Sequence, residues 1–285
     1  MATPSAYYQF SFNGFLMGAG TPYPILKVDG LEALPDLRVQ DDNQGYNDGM
    51  FSGRDFLSGR TITIQMLTTA GNGNSAHANF NLLQQAMLPQ QSGTGVLQFQ
   101  LSPSDAIQRI DVRVRKRMTA IDPEYTYGFI QSVWTLFAPD PRYYDDKLQT
   151  LGLSAVTIPG RTYNRTYNLS FGGGSGVVSG TVVNEGSWTT QPVITVNGPV
   201  TNPTVGNSTT GKFVQVTTSL GASDSLVVDL SQRLVTLNGS PVRNLLAAGS
   251  DWFDAAPGSS TFYFSGQNTT AGVSGATISY RNAYV

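Results

Sequence analysis

The chain of 285 residues contains no cysteine. This absence excludes disulfides, thiolate metal sites and cysteine nucleophiles, so packing or assembly must stabilise the protein. Charged residues make up only 13% of the sequence, and no apolar run approaches the ~18 residues that a membrane-spanning helix needs. The net charge is −2 and no broad basic stripe occurs. We therefore predict neither a membrane partner nor a dedicated nucleic-acid partner, because nucleic-acid affinity depends on neutralising phosphates.

Side chains that carry catalysis are equally scarce. His77 is the only histidine, and no G-x-S-x-G nucleophile elbow occurs, which argues against serine hydrolysis. The acidic loop DDNQGYNDG (41–49) lacks the terminal glutamate of a calcium loop. Most acids after residue 147 lie beside turn residues, not as the carboxylate pair that glycoside hydrolysis needs. We therefore predict a protein that is not an enzyme, with no catalytic residues, no metal site and no cofactor.

Alternation of apolar and polar residues dominates what the sequence does contain. Segments such as TITIQML (61–67) and SVWTLF (132–137) repeat with a period of two, which predicts strands with one wet face. The exception is SAHANFNLLQQAML (75–88), whose apolar residues recur with helical spacing until Pro89. The pattern predicts an all-β protein, mainly β-strand with one α-helix.

The composition changes after FAPDPRYYDD (137–146). The residues beyond it hold 18 of the 31 glycines, and short strands there are separated by frequent turn signals. We predict two domains, a β-rich domain of residues 1–146 and an antiparallel β-sandwich of residues 147–285.

The stretch SLVVDLSQRLVTLNGSPV (225–242) illustrates the second domain. It predicts two strands, a first turn at DLSQR, and a type I′ turn at Asn238-Gly239, which supplies the positive φ angles that this turn requires. Asp229 and Arg233 flank the first turn. They form either an ion pair across it or an Asx-type turn without an ion pair.

One charge cluster stands out, in RIDVRVRKRM (109–118). A period of two places Arg113, Arg115 and Arg117 on one strand face and the aliphatic residues on the other. Three like charges in a row repel one another unless acidic groups face them. Two interpretations stay open: an ordinary solvated strand face, or an assembly interface with a neighbouring copy. In the second interpretation the complementary acids are those of the loop region, Asp36, Asp41, Asp42 and Asp48.

Three aromatic residues of the second domain also need an interpretation. Trp188, Trp252 and Tyr263 can offer stacking faces for a sugar on a β-sandwich. Packing in the core or against turns is the competing role, and large aromatic residues in a small sandwich favour it.

Three groups of segments carry a resemblance to a known family. They are GMFSGRDFLSGRTITIQM (49–66), FAPDPRYYDD (137–146), and NEGSWTTQPVITVNGPVTNPTV (184–205) followed by SLVVDLSQRLVTLNGSPV (225–242) and DWFDAAPGSSTFYFSG (251–266). Their order and spacing resemble those of the distal tail proteins of long-tailed, non-contractile bacteriophages, in the form found as minor tail proteins of phages of actinobacteria.

The resemblance implies a structural role at the tail tip. Members of this family form a six-membered ring through their N-terminal domains and carry galectin-like C-terminal domains. The expected partners are further copies of the chain, the tail tube protein, the tape measure protein and the tail-tip hub or other minor tail proteins. The expected location is the virion tail tip, after synthesis in the host cytoplasm. The alternative function is a carbohydrate-binding adhesin module that recognises the host cell surface.

Overall fold

The computed structural model describes residues 2–70, 73–121, 123–156 and 176–285. The chain folds into two compact units, residues 1–146 with Val285, and residues 147–284. Within the described residues, strands dominate both units and one α-helix occurs. The predicted fold class, all-β with one helix, is confirmed.

The elements of the N-terminal unit follow in chain order. They are β1 Gln9–Phe12, β2 Phe15–Gly18, β3 Ile25–Asp29, β4 Leu37–Arg38, β5 Asp42–Asn43, β6 Met50–Phe51, β7 Phe56–Leu57, β8 Arg60–Thr69, α1 Gly73–Ala86, β9 Gly95–Gln100, β10 Gln108–Thr119, a 3₁₀ helix Pro123–Tyr127, β11 Phe129–Ala138 and β12 Tyr143–Asp145.

An antiparallel sheet in the order β2-β1-β9-β10-β11-β8-β3 forms the body of this unit. Strand β10 connects its two halves, because its residues 108–112 pair with β9 and its residues 113–119 pair with β11. Alternate side chains of each strand point into one core, as the period of two predicts. The core includes Phe10, Phe12, Ile64, Leu97 and Trp134.

Helix α1 closes this core on one side. Ala76, Phe80 and Leu83 recur with a spacing of four and three residues, and all three are buried. The helix contacts β8 and β11. The sequence predicted it at 75–88, and the observed helix begins and ends two residues earlier.

The chain leaves the sheet between β3 and β8. There β4 pairs with β7 and β5 pairs with β6, in two ladders of two residue pairs each. We call residues 37–57 the arm. The loop DDNQGYNDG lies at its far end, so the acidic loop of the sequence is the end of a hairpin.

The elements of the C-terminal unit are equally short. They are β13 Gln149–Ser154, β14 Val178–Asn184, β15 Val193–Asn197, β16 Val200–Asn207, β17 Lys212–Gln215, β18 Ser219–Leu220, β19 Ser225–Asp229, β20 Leu234–Leu237, β21 Ser240–Pro241, a 3₁₀ helix Arg243–Leu245, β22 Gly258–Gln267, β23 Gly275–Tyr280 and β24 Ala283–Tyr284.

Two antiparallel sheets build this unit. One has the order β13-β23-β15-β19-β20-β21, and the other has the order β14-β22-β16-β17 with β18 on β16. Inward side chains of both sheets share one apolar cluster, as in a β-sandwich. Its members include Val182, Ile194, Phe262 and Ile278.

Backbone angles and short-range hydrogen bonds explain the two turns of residues 225–242. Asn238 and Gly239 both have positive φ, at 49° and 82°, as a type I′ turn requires. Asp229 Oδ1 accepts hydrogen bonds from the backbone N–H groups of Ser231 and Gln232 at 2.9 and 3.0 Å. The Asx-type interpretation of Asp229 is therefore correct.

Candidate assembly interface

A β-bulge interrupts the basic stretch of β10. Val114 pairs with Leu136, but the next pair joins Lys116 to Thr135, so Arg115 is an extra residue with no partner in the register. A bulge resets the alternation of side chains along its strand. Arg117 then pairs with the buried Trp134. Paired residues point to the same side of a sheet, so the prediction that Arg117 shares a face with Arg113 and Arg115 is wrong.

The contacts of the arginines agree with this register. The Arg117 guanidinium lies over the rings of Trp134 and Phe80, at 5.4 and 6.0 Å from their centroids. Arg115 lies instead over Phe137, at 5.3 Å from the ring centroid. Arg117 thus covers the rings of the core, whereas Arg115 lies on the opposite side of the sheet.

We call that opposite side of β10 and β11 the outer face. Arg113 pairs with Phe137 and Lys116 pairs with Thr135, both on this side. Arg113 also donates a hydrogen bond to the backbone carbonyl of Gln90, at 3.2 Å. The outer face therefore carries Arg113, Arg115 and Lys116, with Lys116 where the sequence suggested Arg117.

The predicted acidic residues Asp41, Asp42 and Asp48 all lie on the arm and are exposed. Asp41 Oδ1 accepts a hydrogen bond from the Gly53 N–H at 2.9 Å, which ties the two sides of the arm together. The ion pairs within the described residues all lie elsewhere, so none joins an arm acid to an arginine of the outer face. The structure does not bring the two predicted charge sets together within one chain.

Arginines also stiffen the base of the arm. The guanidinium groups of Arg38 and Arg54 lie over the Phe56 ring, at 5.1 and 5.2 Å from its centroid. Apart from Phe56, most apolar side chains of the arm are exposed to solvent. Its large exposed apolar side chains are Leu37, Val39, Tyr46, Met50 and Phe51.

Arg60 fixes the segment that leads from β3 into the arm, and the sequence analysis did not identify it. Its side chain is 2% exposed, and Nε donates to the Pro141 carbonyl at 2.9 Å. Nη1 donates to the carbonyls of Gly30 and Ala33, at 3.1 and 2.6 Å, and to that of Leu31. Burial lowers the pKa of Arg60 below the ordinary arginine value. The Arg60 side chain therefore joins residues 30–33, which follow β3, to Pro141, which follows β11.

The Gly-Arg dipeptide at 59–60 was the available signal for this anchor. A Cβ at position 59 would lie 2.4 Å from Phe137 Cζ and 2.9 Å from the Ala138 carbonyl oxygen. Glycine is therefore required for the close approach that places Arg60 at the start of β8.

The segment FAPDPRYYDD supplies the other side of the anchor. The Asp140 carboxylate accepts two hydrogen bonds from the Arg142 guanidinium, at 2.8 and 2.9 Å, and one from the Tyr144 hydroxyl at 2.8 Å. Burial, followed by the nearby Asp140 charge, raises the pKa of Tyr144 well above its ordinary value. This network holds the chain on both sides of Pro141, whose carbonyl Arg60 binds.

The three aromatic residues proposed for sugar stacking occupy separate settings. The backbone N–H of Trp188 donates to the Ala283 carbonyl at 2.9 Å, and Trp252 packs against the core of the sandwich. Tyr263 lies over Gly206, where a Cβ would approach its ring to 2.6 Å. No ring contact joins any two of the three within the described residues.

The described residues contain no group of three or more His, Asp or Glu side chains able to hold a metal ion. No helix among them has the length and apolar character needed to cross a membrane. His77 Nδ1 lies 2.6 Å from the Tyr125 hydroxyl oxygen.

Comparisons with known proteins extend this description. The family model of the siphovirus-type tail component, C-terminal domain, matches residues 185–284. A crystal structure of the SPP1 Dit protein, described as a paradigm of the hub adsorption apparatus in phages that infect Gram-positive bacteria, is similar over 98% of this chain and 99% of that chain. The TM-score is 0.67 and the identity 16%. A chain of the phage P2 baseplate in its activated conformation matches with TM-score 0.51 and 9% identity, over 96% of this chain and 98% of that chain. No curated protein matches.

The fold and the comparisons define a two-domain, mainly β protein with the architecture of a phage distal tail protein. Residues 185–284 match the C-terminal domain of siphovirus-type tail components, and the likeness in fold to a Dit protein covers nearly the whole chain. The resemblance to distal tail proteins of long-tailed, non-contractile phages is confirmed.

Proposed function

We propose that this chain is a structural component of a bacteriophage tail tip, which self-associates into a ring and joins the tail tube to the proteins of the tip. The family match of residues 185–284 supports the assignment to a tail. The fold likeness extends over nearly the whole of a Dit protein described as a hub. Self-association is supported mainly by the arm, whose apolar side chains are exposed and whose strand pairing is short.

The arm is poorly suited to a free monomer. Its pairing consists of two ladders of two residue pairs each, and a two-stranded hairpin alone is at best marginally stable in water. It also exposes Tyr46 fully, and 63% of Phe51 and 56% of Met50. Contiguous exposed apolar residues mark a contact surface. Covering them with another copy removes apolar surface from water and supplies the packing that the arm lacks.

The opposite charges of the arm and the outer face support a neighbouring copy of the chain as the partner that covers the arm. The arm presents Asp41, Asp42 and Asp48, and the outer face presents Arg113 and Arg115, with Lys116 beside them. Exposed ion pairs contribute only ~0.2–1 kcal/mol each, so the apolar contacts supply most of the affinity and the charges select the partner and its register.

The remaining parts of the proposal follow from the resemblance. The ring has six copies, its partners are the tail tube, tape measure and tail-tip hub proteins, and it is located at the virion tail tip after synthesis in the host cytoplasm. The chain has no hydrolytic activity. Clearing of a cell-wall suspension by the pure protein would contradict this last statement. Because the three aromatic residues lie in separate settings, no sugar-binding function is proposed.

Native mass spectrometry of the purified chain tests the ring. We expect a species of six times the 30.5 kDa subunit, with a ring shape in negative-stain images. The double substitution Arg113→Glu with Arg115→Glu should weaken assembly while circular dichroism shows an unchanged fold. The control, Arg243→Glu with Lys147→Glu, changes the same charge at exposed positions of the C-terminal unit and should leave the ring intact. A wild-type chain that stays monomeric at all concentrations contradicts self-association, and unchanged rings in the arginine variant contradict the role of the outer face.

A further inference from the structure

The connection between β10 and β11 exposes four large apolar side chains that the fold does not use. Met118 is 51% exposed, Ile121 85%, Tyr127 74% and Phe129 43%. We call these four residues the tip. Met118 pairs with Val133, and Phe129 lies four residues before Val133 on the same strand, so both point to the outer face, like Lys116. The apolar tip is therefore continuous with the basic residues of β10.

The arm and this surface are complementary in charge. Residues 39–53 of the arm contain three acids and no lysine or arginine, whereas the outer face of β10 carries three bases, Arg113, Arg115 and Lys116. Each also offers exposed apolar side chains beside its charges. Opposite charge fixes orientation and excludes wrong partners, and apolar contact supplies affinity.

One side of the arm and the outer face of β10 also have similar lengths. One side of the arm, residues 37–43, and the half of β10 that pairs with β11, residues 113–119, each have seven residues, so each is at most ~25 Å long. An arm that lies along the outer face can therefore place its acids beside the bases and its end beside the tip.

The arm of the same chain does not occupy this surface. It joins the sheet at Arg60, the first residue of β8, whereas Phe129 pairs with Thr69 at the other end of that strand. Ten residues of β8 separate the two ends by ~30 Å. The tip and the end of the arm are both exposed in the folded chain, so we assign the contact to a second chain, as in a heterologous interface repeated around a ring.

We propose that the tip and the outer face together form the receptor for the arm of a second copy of this chain. This inference rests on the proposed self-association, and adds the surface on which the arm docks. Tyr46 and Phe51 of one copy contact Ile121 and Tyr127 of the next, while the arm acids approach Arg115 and Lys116.

The natural absence of cysteine makes a direct test possible. Tyr46→Cys on the arm and Ile121→Cys on the tip introduce the only two thiols of the chain, both at exposed positions. Mild oxidation of the assembled protein should then give a non-reducing ladder of covalent oligomers up to the full ring. Either single variant should give nothing larger than a dimer, because one thiol per copy cannot link more than two chains.

A matched control keeps the arm thiol and moves the second one. Leu88 is 61% exposed in the same unit but lies outside the tip, so Tyr46→Cys with Leu88→Cys should not form the ladder. An equal ladder from this control overturns the proposal. So does an absent ladder from the Tyr46 and Ile121 pair when native mass shows intact rings, and that result leaves self-association standing. Rings absent from the wild type contradict the proposed function itself.

A second variant tests affinity without thiol chemistry. Ile121→Ser with Tyr127→Ser removes apolar contact from two side chains that a monomer leaves in water, so the fold should be unchanged by circular dichroism. The concentration for half-assembly should rise at least about tenfold, the effect of losing one well-packed interface contact. Unchanged assembly contradicts the proposal and instead assigns the tip to a different tail protein.

Discussion

Replacing the buried Arg60 with methionine should loosen the base of the arm before it affects the rest of the N-terminal domain. Methionine keeps an unbranched apolar stem but offers no hydrogen-bond donor. The change removes the donors to four backbone carbonyls, those of Gly30, Leu31, Ala33 and Pro141. It leaves the backbone itself intact, so its effect reports on the anchor alone.

The burial of the Arg60 hydrogen bonds determines how much the substitution lowers the free energy of unfolding. The hydrogen bonds to Leu31 and Pro141 are buried, so water cannot replace the lost donor there, whereas those to Gly30 and Ala33 are only partly buried. An orphaned buried carbonyl costs about 1–3 kcal/mol. Two of them, offset in part because a charge no longer has to be desolvated, give a loss of about 2–5 kcal/mol in the free energy of unfolding.

Urea unfolding and amide hydrogen exchange of the full chain measure this effect. Protection should fall first in residues 30–36 and around Pro141, and protection of the C-terminal domain should not change. The control Arg113→Met, compared at a concentration where both variants are monomeric, removes a single hydrogen bond, to the Gln90 carbonyl, and should cost less than about 1 kcal/mol. A loss for Arg60→Met as small as that of the control, or lost protection far from the arm, would refute the reasoning.

Two further predictions concern single side chains. Arg117→Ala should lower the stability of the N-terminal domain by about 0.5–1 kcal/mol, because Arg117 covers core rings. Arg115→Ala in a monomeric background should change this stability by less than about 0.5 kcal/mol. The reverse ranking in thermal unfolding would favour simple alternation along β10. The hydrogen bond from Asn238, then that from the Gly221 N–H, lowers the pKa of Asp224. Its stabilising effect is therefore present above the unfolded value of about 3.9 and is lost as the pH falls through the folded pKa. Melting curves between pH 5 and pH 2 should show a smaller acid-dependent loss for Asp224→Asn than for the wild type, and equal losses would contradict the assignment.

Local chemistry determined several features from the sequence alone. The helix of residues 73–86 follows from the spacing of Ala76, Phe80 and Leu83, and the turn at Asn238-Gly239 follows from the φ angles that these residues tolerate. The all-β class follows from the period of two. Each of these signals involves residues close together in the chain, where propensity and spacing act directly.

Only the tertiary structure decided which charges share a surface. The bulge at Arg115 is set by the alignment of β10 with β11, and a single extra residue moves Arg117 to the core side and Lys116 to the outer face. Alternation read along one strand cannot detect this change, because the register belongs to the pair of strands. The role of Arg60 depends in the same way on carbonyls 27–81 residues away in sequence, which only the folded chain brings to one guanidinium.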